Sequence, residues 1–354
     1  MNHLTPIQGQ EFVNNLRFFG VNGFHDRDTR NVHISNHPFW QALCHAPKLT
    51  EVQLDRPYPL ESFPYHQLTT LIIDVLHNDN VEEFWRILEI STNLRTLTVY
   101  DLHSYTPLGI LLRRMEVPSL RSLSISPNDG KRGSFKPVYT DNPILEAILT
   151  SLGFPSLFSF ELSCFLIPIS DHASPSSLLT MLQNSSGTLR HMSLAFIPYL
   201  MTSKPSFLSF SALFEATPHI EYFKLKDLGT DFYSKETYSS GKLVAPFFSD
   251  LADVESDDPL LPNLTYLAYS NSKVTPDIMN MVINVATSRS PRHLSTIECS
   301  GVRPLEEVRV AANRESLDRS LDDHTREEIQ RLEEDGVNVR FWLRSRDKKK
   351  SPSI

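Results

Sequence analysis

The chain has 354 residues, a net charge of −8, 40% hydrophobic residues and only three cysteines. The acidic balance argues against a general nucleic-acid binder, and no apolar run in the sequence reaches the length of a membrane span. Three cysteines are too few for a disulfide framework, and the N-terminal residues do not resemble a signal peptide. We therefore expect a cytoplasmic or nuclear protein.

A six-residue pattern with three apolar positions recurs along the chain and is clearest at residues 94–99. Apolar residues occupy its first, fourth and sixth positions, as in the strand of a leucine-rich repeat. The first residues of successive copies are separated by 19 to 44 positions, a period that predicts a solenoid. Nine copies match this template, and they begin at Leu49, Leu68, Leu94, Leu120, Leu157, Leu189, Ile220, Leu264 and Leu294.

Residues 1–45 are interpreted as an N-terminal cap that contains a tentative first repeat at residues 15–21. A helix is predicted over residues 37–44, because Trp40, Leu43 and Cys44 fall on one side at helical spacing. Irregular leucine-rich repeats then fill residues 46–300.

Helices are predicted between the copies of the pattern. The apolar spacing i, i+3, i+4, i+7, which marks one side of an amphipathic helix, begins at Val81, Leu108, Leu145, Val244 and Ile278. Shorter versions begin at Leu178 and Phe210. Four helices are expected to begin with a capping residue and a proline, at Thr106-Pro107, Asn142-Pro143, Ser174-Pro175 and Thr275-Pro276.

Proline also precedes five copies by two residues, where it is expected to end a helix and extend the chain into the next strand. The repeating unit is therefore strand, loop, helix and proline break. Strands stacked across such units must be parallel with right-handed crossovers. We predict an α/β right-handed leucine-rich-repeat solenoid, a horseshoe with parallel strands on the concave face and helices on the convex face.

The last part of the chain is more polar than the repeats. Residues 301–347 are predicted to be a C-terminal cap with a helix over residues 325–335, which ends at Gly336, and a last edge strand over residues 337–341. Residues 348–354 are predicted to be a basic, disordered tail, for which a nuclear-import signal is the alternative.

Motifs of enzymes and metal sites are not found in the sequence. It has no glycine-rich phosphate-binding motif and no paired Cys or His spacing of a zinc site, so we predict no catalytic residue, no cofactor and no metal. The acidic residues 253–258 lack the spacing of a calcium loop. His191 is interpreted as a solvated strand residue, with ligand binding as the alternative.

In each copy the third, fifth and seventh positions are expected to point away from the core, onto the concave face. Along the chain this face changes from acidic, through small hydroxyl side chains, to aromatic and basic. Such a surface suits protein recognition, whereas the filling of a crowded sheet by short polar residues is the alternative. The candidate partner-binding residues are Thr96, Thr98, Tyr100, Ser122, Ser124, Glu161, His191, Tyr222, Lys224, Lys226, Tyr266 and Glu298.

Several short phrases resemble the leucine-rich-repeat part of fungal F-box proteins, especially those of mushroom-type fungi. The likeness spans residues 36–341, and it is carried by Pro38-Phe39-Trp40, Ala46-Pro47-Lys48-Leu49, Phe63-Pro64-Tyr65, Leu261-Pro262-Asn263-Leu264, Ser288-Arg289 and Glu333-Glu334-Asp335-Gly336. The resemblance implies that the repeats capture a protein substrate. It also implies that an F-box docks on the Skp adaptor of a cullin-RING ubiquitin ligase.

The opening motif of an F-box, Leu-Pro-x-Glu, does not occur before residue 36. A lost F-box, a reading frame that begins further upstream and a stand-alone repeat protein are the three interpretations. A Skp-type adaptor is therefore an expected partner only with an upstream F-box, and neither nucleic acid nor membrane is an expected partner.

We expect a non-catalytic protein-recognition module, the substrate-binding part of an SCF-type ubiquitin ligase receptor. One alternative is a leucine-rich-repeat scaffold without a link to ubiquitin. A second is an enzyme or enzyme activator with a site in the rim loops. That alternative requires His191 or Asp74 to lie beside another titratable group in a closed pocket.

Overall fold

The computed structural model describes residues 14–20, 38–58, 62–103, 114–126, 138–139, 142–167, 176–198, 210–227, 240–297 and 301–343. In these residues the chain is a mixed α/β fold with helices and a large parallel sheet of eleven strands. The chain divides into two compact units, unit 1 (residues 1–159) and unit 2 (residues 160–354).

The sheet of unit 1 follows the order β1-β2-β3-β4-β6, and its neighbouring strands are parallel. A separate pair is formed by β5 and β8. In chain order the described elements are β1 (Phe18–Gly20), α1 (Pro38–Cys44), β2 (Glu51–Leu54), β3 (Thr70–His77), α2 (Val81–Ile90), β4 (Thr96–His103), β5 (Met115–Glu116), β6 (Ser122–Ile125), β7 (Val138–Tyr139), α3 (Pro143–Ser151) and β8 (Leu152–Gly153).

The sheet of unit 2 follows the order β9-β10-β11-β12-β13-β14, with β10 to β14 parallel. Its described elements are β9 (Ser159–Ile167, whose first residue closes unit 1), α4 (Ser176–Ser185), β10 (His191–Pro198), α5 (Phe210–Glu215), β11 (Tyr222–Asp227), α6 (Ser240–Ala252), β12 (Tyr266–Asn271), α7 (Pro276–Ser288), α8 (Pro291–Thr296), β13 (Glu307–Ala312), α9 (Arg314–Ser320), α10 (Asp323–Glu334) and β14 (Asn338–Leu343).

The apolar pattern forms strands in the predicted orientation. In β4, Leu97 is fully buried, whereas Thr98 is partly exposed on the other side of the sheet. Thr98 lies between Ile72 and Ser124, which hold the same template position in the neighbouring copies. The irregular copy at residues 15–21 also contains a strand, since β1 pairs with β2. Equivalent positions therefore lie side by side in rows across the sheet.

A short turn before many strands explains the recurring proline. The backbone N–H of the first apolar residue donates to the carbonyl three residues earlier, from Leu120 to Val117 at 3.2 Å and from Leu264 to Leu261 at 3.1 Å. In five copies proline holds the second position of this turn, where its fixed φ is favoured. The proline therefore shapes the turn that leads into the strand.

Polar side chains beside these turns connect neighbouring repeats. Asn263 Nδ2 donates to the carbonyl of Pro218 at 3.2 Å, and Asn93 Nδ2 donates to the carbonyl of His66 at 2.8 Å. Each asparagine stands immediately before the first apolar residue of its copy. The bonds satisfy backbone carbonyls of the preceding turn, so they connect one turn to the next.

The predicted amphipathic helices are confirmed wherever the structure describes them, with one exception at Met115. In α2, the four residues of the predicted apolar side are buried. In α3, Asn142 Oδ1 accepts hydrogen bonds from the N–H groups of Ile144 (3.0 Å) and Leu145 (3.2 Å), as a capping residue before proline should. Most of the helix predicted from Leu108, and the caps at Thr106 and Ser174, lie outside the described residues. The last residue of that predicted apolar side, Met115, lies in strand β5 instead of a helix.

The strand predicted to begin at Leu294 is wrong, because Pro291–Thr296 form helix α8. Ser290 caps this helix with its side-chain oxygen, and proline occupies the first turn. A capping residue followed by proline favours a helix strongly enough to override a short apolar pattern. The strand lies later, at Glu307–Ala312. It begins at the third position of a further copy of the template, whose first residue is Leu305.

The predicted C-terminal helix and edge strand are confirmed as α10 and β14. Gly336 has a φ of +90°, and the N–H of Val337 donates to the carbonyl of Leu332 at 2.8 Å, which closes the end of the helix. Residues 301–343 therefore contribute two strands, β13 and β14, to the parallel sheet in addition to the two helices α9 and α10.

Arg289 is fully buried in unit 2 and joins three backbone carbonyls. Its guanidinium donates to Leu251 O at 2.9 Å, to Leu261 O at 2.9 Å and to Leu260 O. Leu261 has a φ of +49°, a conformation that is uncommon for residues with a side chain. The arginine fork holds this turn in place at the point where the chain enters β12.

Candidate functional site

The described candidate residues lie on one side of the sheet, which we call the outward face. It carries Thr96 and Thr98 in unit 1, and Tyr222 and Lys224 in unit 2. The third template position is at least partly exposed on this side in each copy from β2 to β13, whereas the fourth position is buried on the other side. The outward face of each unit is described separately.

In unit 1 the outward face is a surface of small hydroxyl groups. Thr96, Thr98, Tyr100, Ser122 and Ser124 are all partly exposed, as predicted. Thr96 is the register partner of Ser122, and Thr98 is the register partner of Ser124. These short side chains present hydroxyl groups, which can both donate and accept hydrogen bonds.

The seventh position differs from the prediction in four copies, where Asp55, Asp74, Ala195 and Ser270 are buried, and the fifth position differs at Ala268. Asp55 and Asp74 are buried, with 6% and 4% of their surface exposed. The hydroxyl of Tyr58 donates to Asp55 Oδ1 at 2.5 Å, and Gln53 Nε2 donates to Asp74 Oδ1 at 2.7 Å. Burial, and then the hydrogen bond to Asp55, raises the pKa of Tyr58. Each buried carboxylate has a hydrogen-bond donor, which compensates for its separation from water.

A stacked histidine pair occupies the carboxyl ends of β3 and β4. His77 and His103 are register partners, with ring centroids 4.9 Å apart and ring planes inclined by 25°. His103 Nε2 lies 3.4 Å from Asp101 Oδ2. Burial, and then the neighbouring His103, lowers the pKa of His77. The sequence reasoning missed this pair, although both histidines hold the tenth position of their copies and this shared position could have revealed it.

In unit 2 the outward face carries an aromatic row. The rings of Tyr222 and Tyr266 stack with centroids 4.0 Å apart and planes inclined by 9°, and His191 lies 5.3 Å from Tyr222. Burial lowers the pKa of His191, so its neutral form is favoured. Burial, and then the hydrogen bond with Tyr222, raises the pKa of Tyr266. The structure thus brings three of the predicted residues together.

Arg309 and Trp342 extend this row and were not predicted from the sequence. The guanidinium carbon of Arg309 lies 5.0 Å from the ring centroid of Tyr266 and 5.5 Å from that of Trp342. Arg309 Nε also bonds Glu307 Oε1 at 2.5 Å, and this bond raises the pKa of Arg309. Sequence reasoning missed both residues because it placed the last regular repeat too early. The template copy that begins at Leu305 could have identified β13.

The remaining predicted residues are less closely grouped. Lys224 and Lys226 are partly exposed on β11, and Glu161 is exposed on β9. Glu298 lies outside the described residues. In the part of the chain that the structure describes, no group of three or more Asp, Glu, His or Cys side chains could hold a metal ion.

Two open pockets of about 270 and 440 Å³ lie among the helices of unit 2. Thr287 of α7 and Glu328 of α10 line both pockets. Neither pocket is lined by His191 or Asp74, the two residues that the enzyme alternative required in a closed pocket. His191 instead packs beside a tyrosine ring on the outward face of the sheet.

Comparison with known proteins finds no family model that matches the chain and no curated protein that matches it. None of the helices in the described segments combines the length and the apolar character needed to cross a membrane.

Proposed function

We propose that this protein is a non-catalytic protein-recognition module whose partner binds the outward face of the sheet. One observation carries the proposal: partly exposed side chains of equivalent template positions stand side by side on successive strands. Hydrogen-bonded strands fix the spacing of these groups before a partner arrives. Less conformational entropy is then lost on binding.

The chemistry of the outward face supports a protein as the partner. Serine and threonine hydroxyls provide adaptable hydrogen bonding, and tyrosine rings provide rigid contact area with a polar end. Tyrosine, tryptophan and arginine are the residues that most often dominate the energy of protein interfaces. Tyr222, Tyr266, Arg309 and Trp342 place all three types in a single row of unit 2.

We also propose the finer architecture and the biological role. The repeats form a right-handed leucine-rich-repeat solenoid with its strands on the concave face, and the captured partner is a substrate of an SCF-type ubiquitin ligase. The support is the resemblance of residues 36–341 to the repeat part of fungal F-box proteins. A Skp-type adaptor joins the assembly only where an F-box is encoded upstream.

Affinity capture with substitutions on opposite sides of the sheet tests the recognition surface. The tagged full chain, a Thr98→Lys/Tyr222→Ala variant of the outward face and a Glu82→Ala/Arg331→Ala control on exposed helix positions are expressed in cells. We expect quantitative mass spectrometry to find a protein that the first and third capture and that the second recovers at least tenfold less. A partner set that all three share equally overturns the proposed surface.

Association with the purified Skp adaptor tests the ligase role. We expect the chain to bind the adaptor when it is expressed from a reading frame that includes upstream F-box sequence, as size-exclusion chromatography would show. If no upstream F-box is encoded and the adaptor does not associate, the ligase role fails. The protein is then a stand-alone leucine-rich-repeat scaffold that still recognises a partner.

A further inference from the structure

We propose, as an extension of the proposed function, that the outward face of unit 2 binds an acidic segment of the partner protein that also carries an aromatic side chain. The aromatic row extends across unit 2. His191, Tyr222, Tyr266, Arg309 and Trp342 stand on the five successive strands β10 to β14. Ring contacts of 5.3 and 4.0 Å and cation–π contacts of 5.0 and 5.5 Å join them.

The row presents apolar surface that a partner can cover. Trp342 is 52% exposed at the end of the row, and the tyrosine rings are partly exposed within it. Stacking and cation–π contacts hold the planar groups in place, so an incoming ring meets an ordered platform. An aromatic side chain of the partner fits this platform because ring contacts add to the gain from area burial.

The outward face of unit 2 is positively charged. The described outward positions of β10 to β14 carry four cations, Lys224, Lys226, Arg309 and Arg340, but a single carboxylate, Glu307. That carboxylate is shared, because Glu307 Oε1 lies 2.5 Å from Arg309 Nε and 3.5 Å from Arg340 Nε. The protein as a whole carries a net charge of −8, so the positive charge of this face is opposite in sign to that of the whole chain. A partner with carboxylates is its electrostatic complement.

Lys224 is the cation best placed to receive a carboxylate. Its register neighbours are Ser193 on β10 and Ala268 on β12, whose short side chains carry no charge. No residue in the described segments forms an ion pair with Lys224. It stands two residues after Tyr222 on the same strand and therefore on the same side of the sheet. A carboxylate at Lys224 and a ring beside Tyr222 fit one extended segment.

Single-stranded nucleic acid is the other ligand that combines aromatic and basic contacts. The structure favours the peptide because the two tyrosine rings are stacked on each other at 4.0 Å, which leaves no room for a base between them.

A selection from a random library of displayed 12-residue peptides tests the proposal. The library is selected on the immobilised full chain, on Lys224→Glu and on Lys273→Glu. Lys273 is exposed and lies beyond the end of β12, so its substitution makes the same change in net charge away from the row. We expect the wild-type chain and Lys273→Glu to enrich peptides that are negatively charged and contain an aromatic residue. We expect Lys224→Glu to reduce this enrichment at least tenfold.

Every other result overturns the inference. It fails if no peptide is enriched, if the enriched peptides lack negative charge, or if the two lysine variants behave alike. It also fails if a labelled 12-nucleotide oligouridylate binds the full chain and competes with the selected peptides. The capture experiment with the Thr98→Lys/Tyr222→Ala variant distinguishes a failure of the acidic-segment inference from a failure of the proposed function. A partner lost from that variant supports recognition on the outward face even when the acidic-segment inference has failed.

Discussion

Tyr222 and Tyr266 stand 44 residues apart in the chain, yet their rings stack in parallel at 4.0 Å on the outward face of unit 2. The contact exists because both tyrosines hold the third position of their template copies, and the parallel register makes these positions direct neighbours. A repeat that is irregular in length therefore builds a regular surface.

Replacing Tyr266 by leucine should weaken partner binding. The variant loses the stack with Tyr222 and the cation–π contact with Arg309, each worth about 0.5–1.5 kcal/mol. We expect affinity for the captured partner to fall about tenfold, or about 1.4 kcal/mol, by isothermal titration calorimetry. Tyr266→Phe keeps the ring and should bind nearly as well as wild type; an equal loss in both variants would contradict a role for the ring.

Substitutions at two adjacent residues of β4 should differ sharply in their effect on stability. Leu97 is fully buried, so Leu97→Ala should lower the free energy of unfolding by about 2–5 kcal/mol through lost burial and a new cavity. Thr98 is partly exposed on the outward face, and Thr98→Ala should change it by less than about 0.5 kcal/mol. Urea unfolding measures both. A larger loss for Thr98→Ala than for Leu97→Ala would reverse the orientation of the strand.

Arg289→Lys should be destabilising although it preserves the charge. One ammonium group cannot reproduce the planar fork that reaches the carbonyls of Leu251, Leu260 and Leu261, so at least one buried carbonyl loses its partner. We expect a loss of about 2 kcal/mol in the free energy of unfolding. Arg326 is exposed on α10, and Arg326→Lys is the matched control that should unfold like wild type. Equal unfolding of the two variants would show that the fork is dispensable.

Protonation of His77, one ring of the stacked histidine pair, should make unit 1 less stable in acid. Burial, and then His103, places the pKa of folded His77 below its ordinary value of 6.5, although Asp79 and Asp101 act in the opposite direction. The unfolded chain therefore binds the proton more tightly. The stability contributed by neutral His77 is complete above about pH 6.5 and is lost as the pH falls through the lowered pKa.

The measurement is the midpoint of urea unfolding between about pH 7.5 and pH 5. We expect the midpoint to fall less in His77→Gln than in wild type. His66 is exposed, and His66→Gln should keep the wild-type dependence. A pH dependence that is identical in both variants would rule out His77 as the titrating group.

The strands were the most predictable part of the fold, because a buried apolar residue at three fixed positions leaves a pattern that the sequence displays directly. Leu97 and Thr98 were assigned to the correct sides for this reason. The pattern failed at Leu294, where it described a helix, since one apolar triplet is weaker evidence than the capping pair Ser290-Pro291. Strand positions were thus predictable where apolar spacing and boundary residues agreed.

The candidate site was predictable only within the copies that were correctly placed. The stacking partners His191, Tyr222 and Tyr266 were all named from the sequence, but their contacts depend on register between strands that are distant in the chain. Asp74 was expected on the outward face and is buried, because Gln53 on the neighbouring strand offers it a hydrogen bond. Whether a polar side chain is exposed to water or bonded to a neighbouring residue depends on tertiary packing.

The register of the sheet does not depend on the length of chain that joins two strands. Thr69 N–H donates to Thr50 O at 2.8 Å across an interval of 19 residues, and Thr265 N–H donates to Glu221 O at 2.9 Å across an interval of 44 residues. Evolution can therefore insert or delete residues in a connection without changing which side chains meet on the sheet. For the same reason, the fold should tolerate a foreign segment inserted into the connection between β11 and β12, and the aromatic row should stay unaltered.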